Sequence, residues 1–119
     1  IRNCDWSSDV CSSDLQIFAR DGRFVQAFGQ HGNGSGDFAA PKGVAVDSEG
    51  HIYVVDALFD TVQIFDRAGQ YLLNFGERGL AAGQFWLPAG LFIDATDRVY
   101  VADAYNQRIQ VFQYLRGAP

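Results

Sequence analysis

Methionine is absent from the 119 residues, and proline (three), cysteine (two) and cationic side chains (nine Lys plus Arg against fourteen Asp plus Glu) are scarce. No apolar run approaches the roughly 18 residues that a membrane-spanning helix needs, so a span of that kind is excluded. With a formal net charge of -5 and no cluster of basic residues, the chain is a poor electrostatic match for nucleic acid or an anionic bilayer. Disorder is excluded from the other side, because 48% of the residues are apolar and only 19% charged. The length allows one small domain at most. The missing methionine, initiator included, leads to the expectation that the sequence is an internal piece of a longer chain.

Both cysteines, Cys4 and Cys11, fall in a first stretch unlike the rest, IRNCDWSSDVCSSDL. Two cysteines in a small chain would normally invite a disulfide and a secreted setting. The string DWSSDVCSSDL, from Asp5 to Leu15, however resembles the translation of a common short-read sequencing-library adapter. Residues 1–15 are therefore set apart as a non-native segment, and residues 16–119 as the folded unit. That division leaves 104 residues with 8 basic and 11 acidic side chains, net -3, and no cysteine.

What remains repeats itself. Gln16–Val62 and Gln63–Ile109 align without a gap over 47 residues, seventeen of them identical, and a third copy begins at Gln110. Each copy holds four short apolar runs divided by turn residues. In the first these are Gly43–Val46, His51–Val55, Val62–Phe65 and Tyr71–Phe75. The sequence Asp47-Ser48-Glu49-Gly50 suits a type I turn, and Gly69 can supply the positive φ of a hairpin. Val44, Ala45 and Val46 are consecutive apolar residues, as are Ile52 to Val55. Both faces of these strands are thus expected to avoid water, as in a sheet pressed between neighbours; a strand with one wet face would alternate. Four strands per repeat of this length predict an all-β fold of β-propeller blades, each a four-stranded antiparallel meander.

The second copy, with Pro88-Ala89-Gly90, Ile93-Asp94, Val99-Tyr100-Val101-Ala102-Asp103 and Asn106-Gln107-Arg108-Ile109-Gln110-Val111-Phe112, closely resembles NHL repeats. The first copy keeps Pro41, Gly43, Asp47, Tyr53, Asp56, Gln63 and Phe65 but has Phe59 and Thr61 where that pattern has Asn and Arg. The resemblance implies part of a six-bladed ring: two strands of one blade in Gln16–Phe28, a whole blade in Gly43–Phe75 and three strands in Gly90–Phe112. The natural neighbours of such a piece are the remaining blades of the same chain. Similarity to the C-terminal repeats of exported bacterial NHL proteins further implies an extracytoplasmic setting.

The resemblance also directs attention to the turn between second and third strands. Asp103, Asn106 and Arg108 sit there, where Asn can bond local backbone and Arg can pair with a carboxylate. They would serve as a ligand-facing rim or would fix the turn and tie one blade to the next. Leu58, Phe59 and Tyr105 place apolar or aromatic side chains at the same tips, where a rigid scaffold could anchor a partner. Phe59, Asp103, Tyr105, Asn106 and Arg108 are the candidate binding residues.

Little points to catalysis. His31 and His51 are replaced by Arg78 and Arg98 in the other copy, so no ring of His forms and a zinc centre lacks its ligands. Asp47, Asp56, Asp94 and Asp103 recur once per repeat, as structural turn residues would. Ser35 and Ser48 carry no nucleophile motif. The run Gly32–Gly36 lacks the lysine and the helix of a phosphate cradle. The sequence therefore predicts a non-catalytic scaffold that binds a protein or small ligand through its blade-connecting loops, without cofactor or metal. The alternative is a metal-dependent lyase or lactone hydrolase whose ligands lie on other blades.

Overall fold

The computed structural model describes residues 15–29 and 34–113. Nine strands form three antiparallel sheets in chain order: β1 (Leu15–Phe18) with β2 (Phe24–Phe28), β3 (Pro41–Val46) through β4 (Ile52–Asp56) and β5 (Thr61–Phe65) to β6 (Tyr71–Phe75), and β7 (Pro88–Ile93) through β8 (Arg98–Asp103) to β9 (Arg108–Gln113). The middle sheet is a complete four-stranded meander, and the strand bounds match the apolar runs of the repeat to within two residues. Register repeats as well. Pro41 pairs with Asp56 and Pro88 with Asp103, each ahead of a bulge that ends at a glycine.

Turn chemistry explains where the strands stop. The Asp47 carboxylate accepts the N–H groups of Glu49 and His51, both at 2.9 Å, and its carbonyl accepts the Gly50 N–H at 3.1 Å. Asp94 does the same for Thr96 and Arg98. A short acceptor side chain thus closes its own turn and leaves no backbone donor stranded.

Two apolar clusters form between the sheets. The alternation of side chains along a strand divides β4: Tyr53 and Val55 pack with Val62, Ile64, Phe85, Val99 and Val101, whereas Ile52 and Val54 pack with Leu15, Phe38 and Phe65 on the other face. Every residue of β4 and β5 is buried, which is the two-sided burial expected of a stacked blade. Strand β3 departs from it. Val44 is 44% and Val46 56% exposed among the described residues. The described part of the preceding sheet is only the hairpin β1–β2, and the cleft of about 620 Å³ beside it is walled by these two valines, Leu15 and Ile17.

Close approach between sheets depends on glycine. A Cβ on Gly43 would lie 3.2 Å from the Gly90 Cα, so the inner strands β3 and β7 meet backbone to backbone. Gly76, at φ +93°, faces the ring of fully buried Phe85, which a Cβ would approach to 2.4 Å; Gly29 and Phe38 repeat the arrangement one blade earlier.

Candidate functional site

The turns between second and third strands, 57–60 and 104–107, lie at the same end of the sheets as the long loops that lead into each blade. What fixes them is a pair of fully buried carboxylates at the ends of β4 and β8. A buried carboxylate is tolerated only when its lone pairs are filled. Asp56 fills them with backbone alone: Ala39 N–H at 2.7 Å, Leu58 N–H at 3.0 Å, and the Ala40 and Phe59 N–H groups at 3.2 Å. Asp103 takes one backbone donor, Trp86 N–H at 2.7 Å, and then side chains: the Asn106 amide at 2.8 Å, the Arg108 Nε at 2.9 Å and the Gln110 amide at 3.3 Å. Burial opposes the charged form of Asp103, but these donors and the positive charge of Arg108 outweigh it and hold the carboxyl below its ordinary range.

Arg108 and Asn106 also reach the lead-in loop of their own blade. Arg108 donates to the carbonyls of Leu80, Ala81 and Gln84, each at 2.9 Å, and Asn106 to that of Gly79 at 2.9 Å. The third-strand glutamine holds the loop in both repeats. Gln63 clasps Gly36 N–H and Asp37 carbonyl, and Gln110 clasps Gly83 N–H and Gln84 carbonyl.

Beside this frame lies an aromatic and charged group that spans the two blades. Asp60, 2% exposed and at φ 54°, accepts Arg78 Nε at 2.8 Å and Leu87 N–H at 2.7 Å. Arg78 in turn lies over Trp86, 5.7 Å from the ring centre. Trp86 stacks on Tyr105 at 4.6 Å with the planes 25° apart, and the Tyr105 N–H donates to the Trp86 carbonyl. Tyr105 remains 59% exposed. Leu58 and Leu87 are exposed close by in sequence, on the 57–60 turn and beside Trp86.

The structure therefore puts Asp103, Tyr105, Asn106 and Arg108 on one turn and Phe59 on the matching turn of the preceding blade. Asp103, Asn106 and Arg108 spend their polar atoms on the protein itself, whereas Tyr105 and half-buried Phe59 present side-chain surface. Sequence reasoning passed over Asp60, Arg78 and Trp86. A signal existed: these are positions where the copies differ, with Gln107, His31 and Ala39 as their counterparts.

A polar pocket of about 260 Å³ opens beside the first of these turns, lined by Ser35, Phe59, Thr61, Asn74, Glu77 and Arg78 among others. A larger, apolar cleft of about 540 Å³ lies between β6 and β9. Among the described residues no three His, Cys, Asp or Glu side chains come together as a metal site would require. His51 lies at the far end, its Nδ1 2.9 Å from Asp47, while His31, Cys4 and Cys11 lie outside the described residues. No helix among the described residues is long and apolar enough to cross a membrane.

Two family models match the sequence. Residues 85–112 match the one described as NHL repeat, and residues 6–61 match one described as 6-bladed beta-propeller. The second range starts inside the segment set apart above as non-native. A search of curated proteins finds no match.

Proposed function

We propose that the chain, which is built of NHL-type β-propeller blades, is a non-catalytic scaffold that binds a protein or ligand through the loops at the 57–60 and 104–107 end. One observation carries this reading: Tyr105 is exposed at a loop tip yet rigidly backed by Trp86, which Arg78 and buried Asp60 hold in place. An aromatic ordered in advance loses little side-chain entropy on binding, and that is the property of an anchor residue. Tyr105 and Phe59 make the contact in this reading, and Asp103, Asn106 and Arg108 hold the turn that presents Tyr105. The acidic surface favours a partner that is not itself strongly acidic.

Selection of displayed peptides on the chain tests this. Retained peptides are expected to lose binding on Tyr105→Ala and on Phe59→Ala and to keep it on Glu49→Ala, which alters the opposite end. Peptides that ignore both rim substitutions would place the binding surface elsewhere.

A further inference from the structure

The polar pocket beside Phe59 exists because one repeat lacks what the other has. In the second blade the space between the third strand and the lead-in loop is filled by the Arg108 guanidinium, hydrogen-bonded to the Ala81 and Gln84 carbonyls. In the first blade Thr61 occupies the arginine position and Phe59 the position of Asn106. Thr61 is too short to cross the gap. Its hydroxyl donates instead to the Phe75 carbonyl at 2.8 Å. The described part of the loop keeps the same turn. The Asp37 N–H donates to the Gly34 carbonyl at 3.0 Å, as the Gln84 N–H donates to that of Ala81 at 3.0 Å, and Gln63 clasps the loop as Gln110 does. In its described part the first blade thus keeps the counterparts of two of the acceptors, Gly34 and Asp37, and has no arginine at the position of Arg108.

We propose that this pocket binds a guanidinium group, such as the side chain of an arginine on a partner protein. The chemistry around it agrees. Arg78, the cation on its wall, is neutralised by Asp60 at 2.8 Å. The Glu77 carboxylate, on the same wall, accepts the Gln84 amide at 3.2 Å and is paired with no cation among the described residues. Phe59 supplies an aromatic surface of the kind on which a planar, weakly hydrated guanidinium stacks; Gly34, which lines the pocket, and Asp37 hold the repeat positions of Ala81 and Gln84, whose carbonyls accept from Arg108. Lysine, a compact and strongly hydrated point charge, fits such a fork of acceptors less well. The proposal deepens the reading of this end as a partner surface by naming the chemistry of one contact.

N-acetyl-arginine amide is the probe, followed by saturation-transfer NMR on the full chain, with N-acetyl-lysine amide and acetate as comparisons. Saturable transfer from the arginine amide is expected, weaker transfer to the lysine amide and none to acetate. Thr61→Arg should abolish the signal, because the introduced side chain fills the pocket as Arg108 fills its own, while circular dichroism reports an unchanged fold and a raised Tm. If Thr61→Arg does not fold, Phe59→Ala takes its place and must weaken arginine binding. No saturable transfer with the native chain, equal transfer with the substituted one, or binding of acetate through Arg78 would each overturn the proposal. Such a failure would concern the pocket alone, since the wider surface is judged by the peptide selection and Tyr105.

Discussion

Asp56 and Asp103 are the same residue met twice, one blade apart, and they reach the same buried, fully bonded state by different means. Around Asp56 four backbone N–H groups do the work; around Asp103 three of the four donors are side chains. The fold requires that the carboxylate be satisfied and is indifferent to which groups satisfy it. Where the backbone suffices, the turn's side chains leave the lead-in loop: Thr61 bonds the Phe75 carbonyl instead, and a pocket opens beside Phe59. Where Asn106 and Arg108 are used, the lead-in loop is stapled shut. At this corner the copies differ where one blade can vary without loss to the core.

The largest effect should come from deleting either carboxylate. Asp56→Ala strands four backbone donors and Asp103→Ala strands Arg108 and the Trp86 N–H, so each should cost about 4 kcal/mol in denaturant unfolding. A much smaller loss at Asp56 would mean that its backbone donors find water and that the two corners are not equivalent. Next, Gly76→Ala should cost about 3 kcal/mol, from a left-handed backbone with a side chain and from overlap with Phe85. Gly29→Ala should match it, because the geometry around Phe38 is the same.

Arg108→Thr transfers the first blade's solution to the second. A loss of about 2 kcal/mol is expected, with faster amide exchange at Gly83 and Gln84. Unchanged exchange there would show that Gln110 alone holds the loop. Acid should expose the same contrast. Burial works against ionisation of Asp47, but the His51 and Glu49 donors outweigh it; at Asp94 the Arg98 N–H is the main cause; both carboxyls, like that of Asp103, fall below the ordinary value of 3.8. A lowered folded-state value stabilises above the unfolded one, so their contribution is complete near neutrality and is lost as pH falls below about 4. The carboxyl contribution should decline in acid, less steeply in Arg108→Thr, which removes one of the causes acting on Asp103, as acid-unfolding curves of the two proteins would show. Smallest of all, Tyr105→Ala should change stability by no more than about 0.5 kcal/mol while abolishing partner binding.

Much of the fold was legible because the repeat is gapless. A period of 47 residues, four apolar runs in each and Gly or Asp at fixed places yielded strand positions, order and antiparallel pairing. The site was legible only in part. Sequence spacing picked out the turn holding Asp103, Tyr105, Asn106 and Arg108, since those residues are neighbours along the chain. It did not find Asp60, Arg78 and Trp86, which meet only because a turn of one blade docks on the lead-in loop of the next. Nor could it tell Val44 and Val46 from Val54 and Val55. All four are valines in apolar runs, and which is covered depends on the neighbouring sheet.

The sequence by itself determined local matters: where strands begin and end, which aspartates close their own turns, and that each blade is built on one plan. These follow from alternation, steric demand and short-range hydrogen bonding, all of which act within a few residues. Tertiary structure alone decided which polar groups are used up internally and which are left facing outward. Arg108 and Arg78 are both arginines, yet one spends its guanidinium on three carbonyls and a carboxylate while the other braces an exposed aromatic stack. The difference is made by groups 18 to 28 residues away along the chain, brought within 3 Å by folding: the lead-in loop of its own blade for Arg108, the turn of the preceding blade for Arg78.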